Sequence, residues 1–213
     1  MLIRGIILIR SYVIVRDFGF APNPFFGYCT LATCKPNIRK SAQIGDWVIG
    51  TGSAESNSKY KNRLVYAMCV EEKITFDDYW NDARFLKKRP VMNGSKMQLY
   101  GDNIYHINSN TGKYIQENSH HSLKDGSVNM INYKRDLSSK LVLISKTYWY
   151  FGEEAILIPD KLKGIIKSGQ GYKKIDDTAI IKAFVVWMQK QKGYAFIGKP
   201  ALFSGEFERY KGE

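Results

Sequence analysis

The chain has 213 residues, of which 44% are hydrophobic and 24% are charged, a composition typical of a globular domain. A chain of this length buries about 70% of its unfolded surface, so it needs neither a metal nor a disulfide to fold. Thirty-two Lys and Arg against 20 Asp and Glu give a net charge of +12, which excludes an acidic disordered tail protein and favours a polyanionic partner. We expect a single domain over residues 1–213, with a polar insert around residues 82–134.

Short runs rich in Val, Ile and aromatic residues predict four strands in the N-terminal third, over residues 6–16, 28–34, 47–49 and 64–70. Residues 17–28 contain two glycines and two prolines, which predicts a structured loop. Pro36 can begin one helical turn through Lys40. The glycines of residues 50–53 break the third strand, and residues 54–61 form a polar loop.

The rest of the chain alternates short strands with helices. Thr75 is placed to cap a short helix through Trp80. Residues 176–192 carry apolar side chains at helical spacing and are followed by Gly193, which predicts the longest helix. Residues 82–96 form a basic irregular stretch, and residues 104–107 and 114–116 form the two strands of a hairpin. Residues 118–134 form a long polar surface loop. Residues 141–144 form a buried strand, and residues 148–151 are an aromatic run beside it.

Many strands with few helices predict an α+β fold. We expect a curled mixed or antiparallel sheet, or a partial barrel, with the C-terminal amphipathic helix packed on it. No apolar run approaches the roughly 20 residues of a membrane span, so we expect no membrane partner. The run over residues 5–9 stops at Arg10 without a cleavage site, which favours a first strand over a signal peptide.

The three cysteines, Cys29, Cys34 and Cys69, are an odd number that excludes a fully paired disulfide framework. Cys29 and Cys34 do not have the spacing of a zinc knuckle. We interpret all three as reduced, buried thiols of a cytoplasmic protein, and the sequence predicts no metal site.

The three histidines, His106, His120 and His121, lie close together in the chain, near Asp102 and Asp125. Histidine donates and accepts protons near neutral pH, so these five residues are candidate catalytic groups. Adjacent histidines in a strand point to opposite faces, so His120 and His121 can share a pocket only if the chain bends between them. The alternatives are a divalent metal held by histidines and carboxylates, or histidines with a structural role only.

A second candidate region, residues 16–25, leaves a strand end through a loop that prolines make rigid. Arg16 offers a planar fork suited to a phosphate, and Asp17 and Asn23 are candidate nucleotide-binding residues of the same loop. The alternative is that Arg16 and Asp17 only fix the loop.

A third region, residues 45–53, combines a turn, a buried strand and a glycine-bearing bend. Trp47 could stack on a base, and Thr51 and Ser53 could hydrogen-bond its edge; Asn103, near the histidines, is a further candidate for base binding. The region lacks the lysine of a phosphate loop and the spacing of a dinucleotide fingerprint. The alternative is that Trp47 belongs to the core.

Basic clusters lie beside several aromatic residues, which suits single-stranded or flipped-out nucleic acid. We interpret these lysines and arginines as solvated. The clusters comprise residues 87–89, Lys161, Lys163, Lys167 and residues 173–174.

Six segments together resemble a bacterial and phage family, the second type of nucleotide-modification-associated domain. The likeness runs from about residue 12 to about residue 198. The resemblance implies association with systems that make, remove or sense modified bases in DNA, and it carries over no catalytic residue. The segments are residues 16–25 (RDFGFAPNPF), 29–36 (CTLATCKP), 44–53 (IGDWVIGTGS), 64–68 (LVYAM), 101–106 (GDNIYH) and 119–122 (SHHS).

The turn and strand within residues 44–73 are also similar to PUA-like domains, including the EVE type. These are small curled β-barrels that hold RNA or a flipped, modified base. The similarity agrees with the strand-rich pattern of the chain and implies base binding.

These observations support two functions. The first is an enzyme that acts on a nucleobase or nucleotide in DNA modification by histidine acid/base chemistry, with Asp102 or Asp125 orienting a histidine or holding a metal and Arg16 gripping a phosphate. The alternative is a PUA-like or EVE-like reader in phage defence that binds a modified base in DNA without changing it. A free-nucleotide sensor or a toxin-like effector is a third. The sequence indicates DNA or a nucleotide as partner, and no particular cofactor.

Overall fold

The structure is a computed structural model that describes residues 7–53 and 58–212. Residue 6 of the predicted first strand and residues 54–57 of the predicted polar loop lie outside the described residues. The strands are β1 (Ile9–Ile14), β2 (Cys29–Leu31), β3 (Trp47–Gly52), β4 (Arg63–Cys69), β5 (Glu72–Thr75), β6 (Tyr105–Ile107), β7 (Tyr114–Gln116), β8 (Leu141–Ser145), β9 (Tyr148–Tyr150), β10 (Ile156–Leu157), β11 (Tyr172–Ile175) and β12 (Ala195–Phe196). The α-helices are α1 (Pro36–Ser41), α2 (Phe76–Asn81), α3 (Lys96–Leu99), α4 (Met130–Leu137) and α5 (Thr178–Gln189), and short 3-10 helices span Ala83–Lys88, Gly152–Glu154 and Asp160–Ile165.

Seven strands form one mixed sheet in the order β11-β1-β3-β4-β9-β12, with β10 also paired to β4. Strand β1 is parallel to β3 and β12 is parallel to β9, whereas the other pairs in this sheet are antiparallel. The two edge strands, β11 and β12, do not pair with each other, so the sheet does not close into a barrel. The predicted α+β class and mixed sheet are confirmed.

Three further strands form an antiparallel sheet in the order β2-β8-β5, and β6 pairs with β7 in the predicted hairpin. Local signals explain several of these elements. The Thr75 hydroxyl accepts a hydrogen bond from the backbone of Asp78, and the Asp78 carboxylate accepts one from the backbone of Thr75. This capping box starts α2 where the sequence predicts a helix.

The C-terminal helix α5 packs on one face of the seven-stranded sheet, as predicted. Asp177 caps its first turn by accepting two backbone hydrogen bonds. Phe184 and Met188 are fully buried against the sheet, where the Phe184 ring meets Trp47 edge-on at 5.4 Å between ring centroids. The helix ends at Gln189, three residues before the predicted end, with Lys190 as its C-cap, so Gly193, with a left-handed φ of 79°, lies beyond the position predicted for it. Among the described residues, no helix is long and apolar enough to cross a membrane.

Two segments differ from the sequence prediction because tertiary contacts decide their conformation. Residues 50–53 do not break β3, which continues through Gly52 with every residue buried. Residues 118–134 are not wholly a polar surface loop, since they contain most of α4 and a buried turn at residues 119–122. The buried turn lies under the C-terminal segment, where the Tyr210 backbone N–H donates to the His120 carbonyl at 2.7 Å.

The cysteines and one basic cluster also differ from the prediction. All three thiols are free, but only Cys29 is fully buried, whereas Cys34 and Cys69 are partly exposed. Lys88 is not solvated: its ammonium is fully buried and donates to the backbone carbonyls of Asn23 and Tyr28 at 3.1 and 3.0 Å. A buried lysine needs such partners, because an uncompensated charge inside a protein is costly.

Candidate functional site

A cleft of about 540 Å³ opens beside β1, between the loop that follows this strand and the turn that precedes α1. Its volume lies within the range of about 300–1,000 Å³ found for small-molecule sites. Polar and charged side chains from distant parts of the chain line it together with aromatic rings. The ones that matter for its chemistry are Arg16, Cys34, Lys35, His120, His121 and Arg135.

Cys34 enters the cleft from a strained turn. Cys34 and Lys35 both have left-handed backbones, with φ of 54° and 39°. Such a conformation costs a non-glycine residue about 1–3 kcal/mol, so the surroundings must hold it. The Cys34 N–H donates to the Asp136 carboxylate at 2.8 Å, and its carbonyl accepts from Arg39 at 2.9 Å. These bonds fix the thiol at the cleft wall.

His121 connects Cys34 to Asp136. Its Nδ1 lies 2.7 Å from a carboxylate oxygen of Asp136, and its Nε2 lies 3.6 Å from the Cys34 sulfur. The carboxylate also accepts from the Tyr105 hydroxyl at 3.0 Å. The side chains of His121 and Asp136 are 1% and 0% exposed. The arrangement is a thiol, an imidazole and a carboxylate in sequence, with only the thiol at its open end.

The carboxylate keeps the His121 imidazole charged. Burial opposes the charged form, but the Asp136 carboxylate, assisted by Cys34, outweighs it and raises the pKa of His121 to about 10. Burial likewise opposes charge on Asp136, whereas His121 and Arg39 lower the pKa of its carboxyl group below the ordinary value. At neutral pH the pair is therefore an imidazolium and a carboxylate.

The imidazole of His120, in contrast, is held in its neutral form. Burial is the main cause that lowers its pKa, to about 3, and the positive charge of His121 acts in the same direction. Its ring lies 5.1 Å from the Phe18 ring and 4.9 Å from the Phe20 ring, between centroids. Its Nδ1 is 2.5 Å from the Glu208 carbonyl, an atom that can only accept, so Nδ1 carries the proton and Nε2 carries the lone pair.

The bend at residues 119–122 brings both imidazoles to the same wall of the cleft. The Ser122 N–H donates to the Ser119 carbonyl at 3.1 Å, and the Ser119 N–H donates to the Ser122 hydroxyl at 2.9 Å. The rings of His120 and His121 lie 5.7 Å apart with 29° between their planes. This turn is the bend that His120 and His121 need in order to share a pocket.

Arg16 and Asp17, both singled out from the sequence, line the cleft but are already engaged. Arg16 is half exposed, pairs with Glu208, and places its guanidinium 5.2 Å from the Phe18 ring centroid. Asp17 is buried and accepts from the Tyr150 hydroxyl and from the Ala201 N–H. Burial raises the pKa of Asp17.

Two further cations face the cleft. The Lys35 ammonium lies 4.7 Å from the Tyr12 ring centroid, and burial lowers its pKa. Arg135 donates to the Tyr210 hydroxyl at 3.2 Å. Lys35 and Arg135 give the rim a positive charge that suits an anionic ligand, whereas the charge of Arg16 is paired with Glu208.

Three other predicted residues lie in a separate buried cluster. Asn23 accepts from the Lys88 ammonium at 2.6 Å through its side chain. Asp102 accepts from the Thr30 and Tyr79 hydroxyls at 2.7 and 2.8 Å. Asn103 donates to the Tyr79 carbonyl at 3.0 Å. These contacts hold loops together, and none of the three residues lines the cleft described above.

The remaining predicted residues are also apart from the cleft. Trp47 packs under α5, and the buried Thr51 hydroxyl lies 3.4 Å from the Tyr12 carbonyl. Ser53 follows β3 and is partly exposed. His106 Nε2 lies 2.8 Å from a carboxylate oxygen of Glu117, and its ring stacks on Trp80 with 4.0 Å between centroids. Asp125 is exposed, and its carboxylate accepts from the hydroxyl and the backbone N–H of Ser127 at 2.6 and 3.0 Å.

Four residues of the site went unrecognised in the sequence: Cys34, Lys35 and Arg135, which line the cleft, and Asp136, which is buried behind His121. Cys34 and Lys35 lie in the CTLATCKP segment that carries the family resemblance, so a signal for them was present. Arg135 and Asp136 lie on α4, within a stretch whose polarity suggests solvent exposure. Asp136 is buried and Arg135 is partly exposed, and contacts with distant segments, which no local pattern reveals, place them there.

The same cluster has the spacing of a metal site. One ligand atom each from Cys34, His121 and Asp136 lie within 4.8 Å of one another. Both Asp136 oxygens, however, already accept hydrogen bonds, from Cys34 on one side and from Tyr105 and His121 on the other. The nearby Arg39 is fully buried and adds a positive charge that opposes a cation. The donor set fits a hydrogen-bonded chain better than a metal.

Comparison with known proteins gives one match. The sequence matches the family described as nucleotide modification associated domain 2 over residues 7–207, nearly the whole chain. No curated protein and no solved structure is significantly similar to it. The matched range includes the three residues Cys34, His121 and Asp136, and the family description points to a role in nucleic acid base modification. The chain therefore belongs to the nucleotide modification associated domain 2 family.

Proposed function

We propose that the protein is an enzyme that modifies a base or nucleotide held in the cleft. The observation that carries the proposal is the pair of adjacent imidazoles on one wall, one bonded to a carboxylate and the other to a carbonyl. A proton donor and a proton acceptor side by side, held in opposite states by their surroundings, are what acid/base catalysis requires. His121 is the donor and His120 Nε2 the acceptor.

The rest of the cleft supports a nucleotide as ligand. Lys35 and Arg135 offer positive charge to a phosphate, and Arg16 joins them if the phosphate takes the place of Glu208. The aromatic rings beside His120 offer faces on which a base can stack. A base in duplex DNA reaches such a cleft only after rotating out of the stack. The net charge of +12 would hold the DNA backbone during that step.

Nucleoside mass spectrometry tests the proposal. Plain DNA, hydroxymethylated DNA and free nucleotides are incubated with the protein, nucleotide donors and divalent metal. We expect a new or missing nucleoside, and a loss of about 100-fold or more in His121→Ala, because proton transfer by a positioned side chain contributes about 10²–10⁴-fold. His106→Ala is the matched control, since this imidazole is outside the cleft and pairs with Glu117. Full turnover by His121→Ala would refute the proposal.

The aromatic surroundings of His120 favour a second candidate, a PUA-like or EVE-like reader that binds a modified base without turnover. A reader would bind modified DNA with an affinity that falls steeply as salt rises, because binding releases counterions from phosphates. His121→Ala would then change the affinity little. An unchanged nucleoside profile together with salt-dependent binding would support the reader over the enzyme.

A further inference from the structure

The Cys34 thiol takes no part in the acid/base step, although it lies at the open end of the hydrogen-bonded chain formed with His121 and Asp136. Cys34 lines the cleft, and its sulfur is 3.6 Å from His121 Nε2, the nitrogen that does not face Asp136. The residue is partly exposed, whereas the two behind it are buried. Covalent catalysis is typically recognised by three groups: a nucleophile, a base within hydrogen-bond reach of it, and a third group that orients the base.

We propose that Cys34 is a nucleophile that forms a thioester with its substrate, with His121 as its proton partner and Asp136 as a positioning residue. The substrate class is a carbonyl compound, an amide or an ester, whose acyl group is added to or removed from a base or nucleotide. This inference rests on the proposed function for the identity of the molecule in the cleft.

The steps balance without a redox partner. In the resting pair the proton of the Cys34 thiol is carried by His121, so the sulfur is a thiolate beside an imidazolium. The thiolate attacks the carbonyl carbon and forms a C–S bond, and the C–N or C–O bond of the substrate breaks. The His121 imidazolium gives its proton to the departing amine or alcohol. Water, or an amino or hydroxyl group of the nucleotide, then attacks the thioester and gives its proton to His121, and the sulfur leaves as the thiolate beside the reformed imidazolium.

The electrostatics favour a nucleophile over a metal ligand. A thiolate next to an imidazolium gains a charge-assisted hydrogen bond, and the neighbouring Lys35 and Arg39 add positive charge. The same cations repel a divalent metal. Lys35 and Arg135 also stand where they could attract the negative charge that forms on the carbonyl oxygen during attack.

The other two thiols supply internal controls. Cys29 is fully buried, and burial raises the pKa of its thiol well above the ordinary value. Burial, with Glu71 and Asp46, raises the pKa of Cys69 to about 11. Both are poor nucleophiles at neutral pH. Cys69 therefore gives the rate of a slow, partly exposed thiol, and the change caused by His121→Gln shows how much of the Cys34 rate depends on the imidazolium.

The first test is alkylation with iodoacetamide at neutral pH, followed by peptide mass spectrometry of all three cysteines. We expect Cys34 to react at least about tenfold faster than Cys69, and His121→Gln to remove that advantage, because thiolate formation controls the rate. His121→Gln keeps a side chain that can donate a hydrogen bond to Asp136, so we expect this variant to fold. Cys69→Ser is the second control and should leave the rate at Cys34 unchanged. Equal rates at Cys34 and Cys69, or a stoichiometric metal that Cys34→Ala releases, would overturn the inference.

The second test uses p-nitrophenyl acetate as a simple acyl donor. We expect an acetyl group on Cys34 that hydroxylamine removes, as it removes a thioester, and no such adduct in Cys34→Ala or His121→Gln. Acetylation elsewhere, with Cys34 left free, would overturn the inference.

The nucleoside assay separates the two proposals. If Cys34→Ala still alters nucleosides while His121→Ala does not, the covalent step is wrong and the proposed function stands. If Cys34 forms the thioester but the protein neither binds nor alters any nucleotide or DNA, the nucleophile stands and the nucleotide function is wrong.

Discussion

His120 and His121 are chemically identical neighbours in the chain, and their hydrogen-bond partners make them different. A carbonyl oxygen can only receive the Nδ1 proton of His120, whereas a carboxylate attracts a full positive charge on His121. Burial then amplifies the difference, because charges interact more strongly where water is excluded. One residue type thus supplies both states within a single turn.

The opposite pKa shifts of His120 and His121 make their joint contribution to the free energy of unfolding largest near pH 6.5. Burial lowers the pKa of His120 to about 3, so below pH 6.5 the unfolded chain binds a proton that the folded chain does not, and stability falls as the pH falls. Asp136 and Cys34 raise the pKa of His121 to about 10 against the effect of burial, so above pH 6.5 the folded chain retains a proton that the unfolded chain has lost, and stability falls as the pH rises.

Urea unfolding over the range from about pH 4 to pH 9 measures this profile. His120→Ala should flatten the acid limb. His121→Gln should flatten the alkaline limb and change the acid limb less, because the charge of His121 is a secondary cause of the lowered pKa of His120. A pH profile that neither variant changes relative to the wild type would contradict the assignment of the two protonation states.

At the scale of elements, β3 shows how glycine can permit a strand where the sequence predicts a break. A Cβ on Gly50 would lie 2.3 Å from Ile14 Cδ1, and a Cβ on Gly52 would lie 2.0 Å from the Tyr60 carbonyl oxygen. The missing side chains let neighbouring segments pack directly on the backbone. These glycines therefore serve packing, and no ligand needs to approach them.

Gly52→Ala should destabilise the fold by about 1–3 kcal/mol, the range for forcing an extra methyl group into a packed interior. The contact is with backbone, which cannot rotate away. Chemical denaturation measures the change, with Gly205→Ala as the control because its nearest atom would be 3.6 Å away. A loss in Gly52→Ala no larger than in the control would show that residues 50–53 are less tightly packed.

At the scale of the whole molecule, the cleft is assembled from segments distant in the chain. Cys34 precedes α1, His121 lies in a turn after the β6–β7 hairpin, and Asp136 lies near the end of α4. The C-terminal segment then closes one side. Its Glu208 carbonyl accepts from His120, and the Tyr210 N–H donates to the His120 carbonyl.

Truncation tests this dependence. A chain that ends at Glu206 loses both hydrogen bonds to His120 and admits water to its ring, so we expect at least about a tenfold loss of nucleoside modification. A chain that ends at Tyr210 retains both bonds and is the matched control. Circular dichroism establishes that the two chains are folded, and equal activity in the two would show that the segment does not contribute to the site.

The sequence by itself determined the features that depend on neighbours in the chain. Runs of Val, Ile and aromatic residues predicted most strands, Thr75 marked the start of α2, and the order of short motifs indicated the family. These signals suffice because capping bonds and side-chain alternation act over a few residues.

Only the tertiary structure decided which polar residues meet. Asp102 and Lys88 look like surface or catalytic groups in the sequence, yet they pair with buried partners elsewhere in the fold. Cys34, His121 and Asp136 meet although long stretches of chain separate them. The protonation of each group then follows from burial and from charges that long-range packing brings near, which local sequence does not contain.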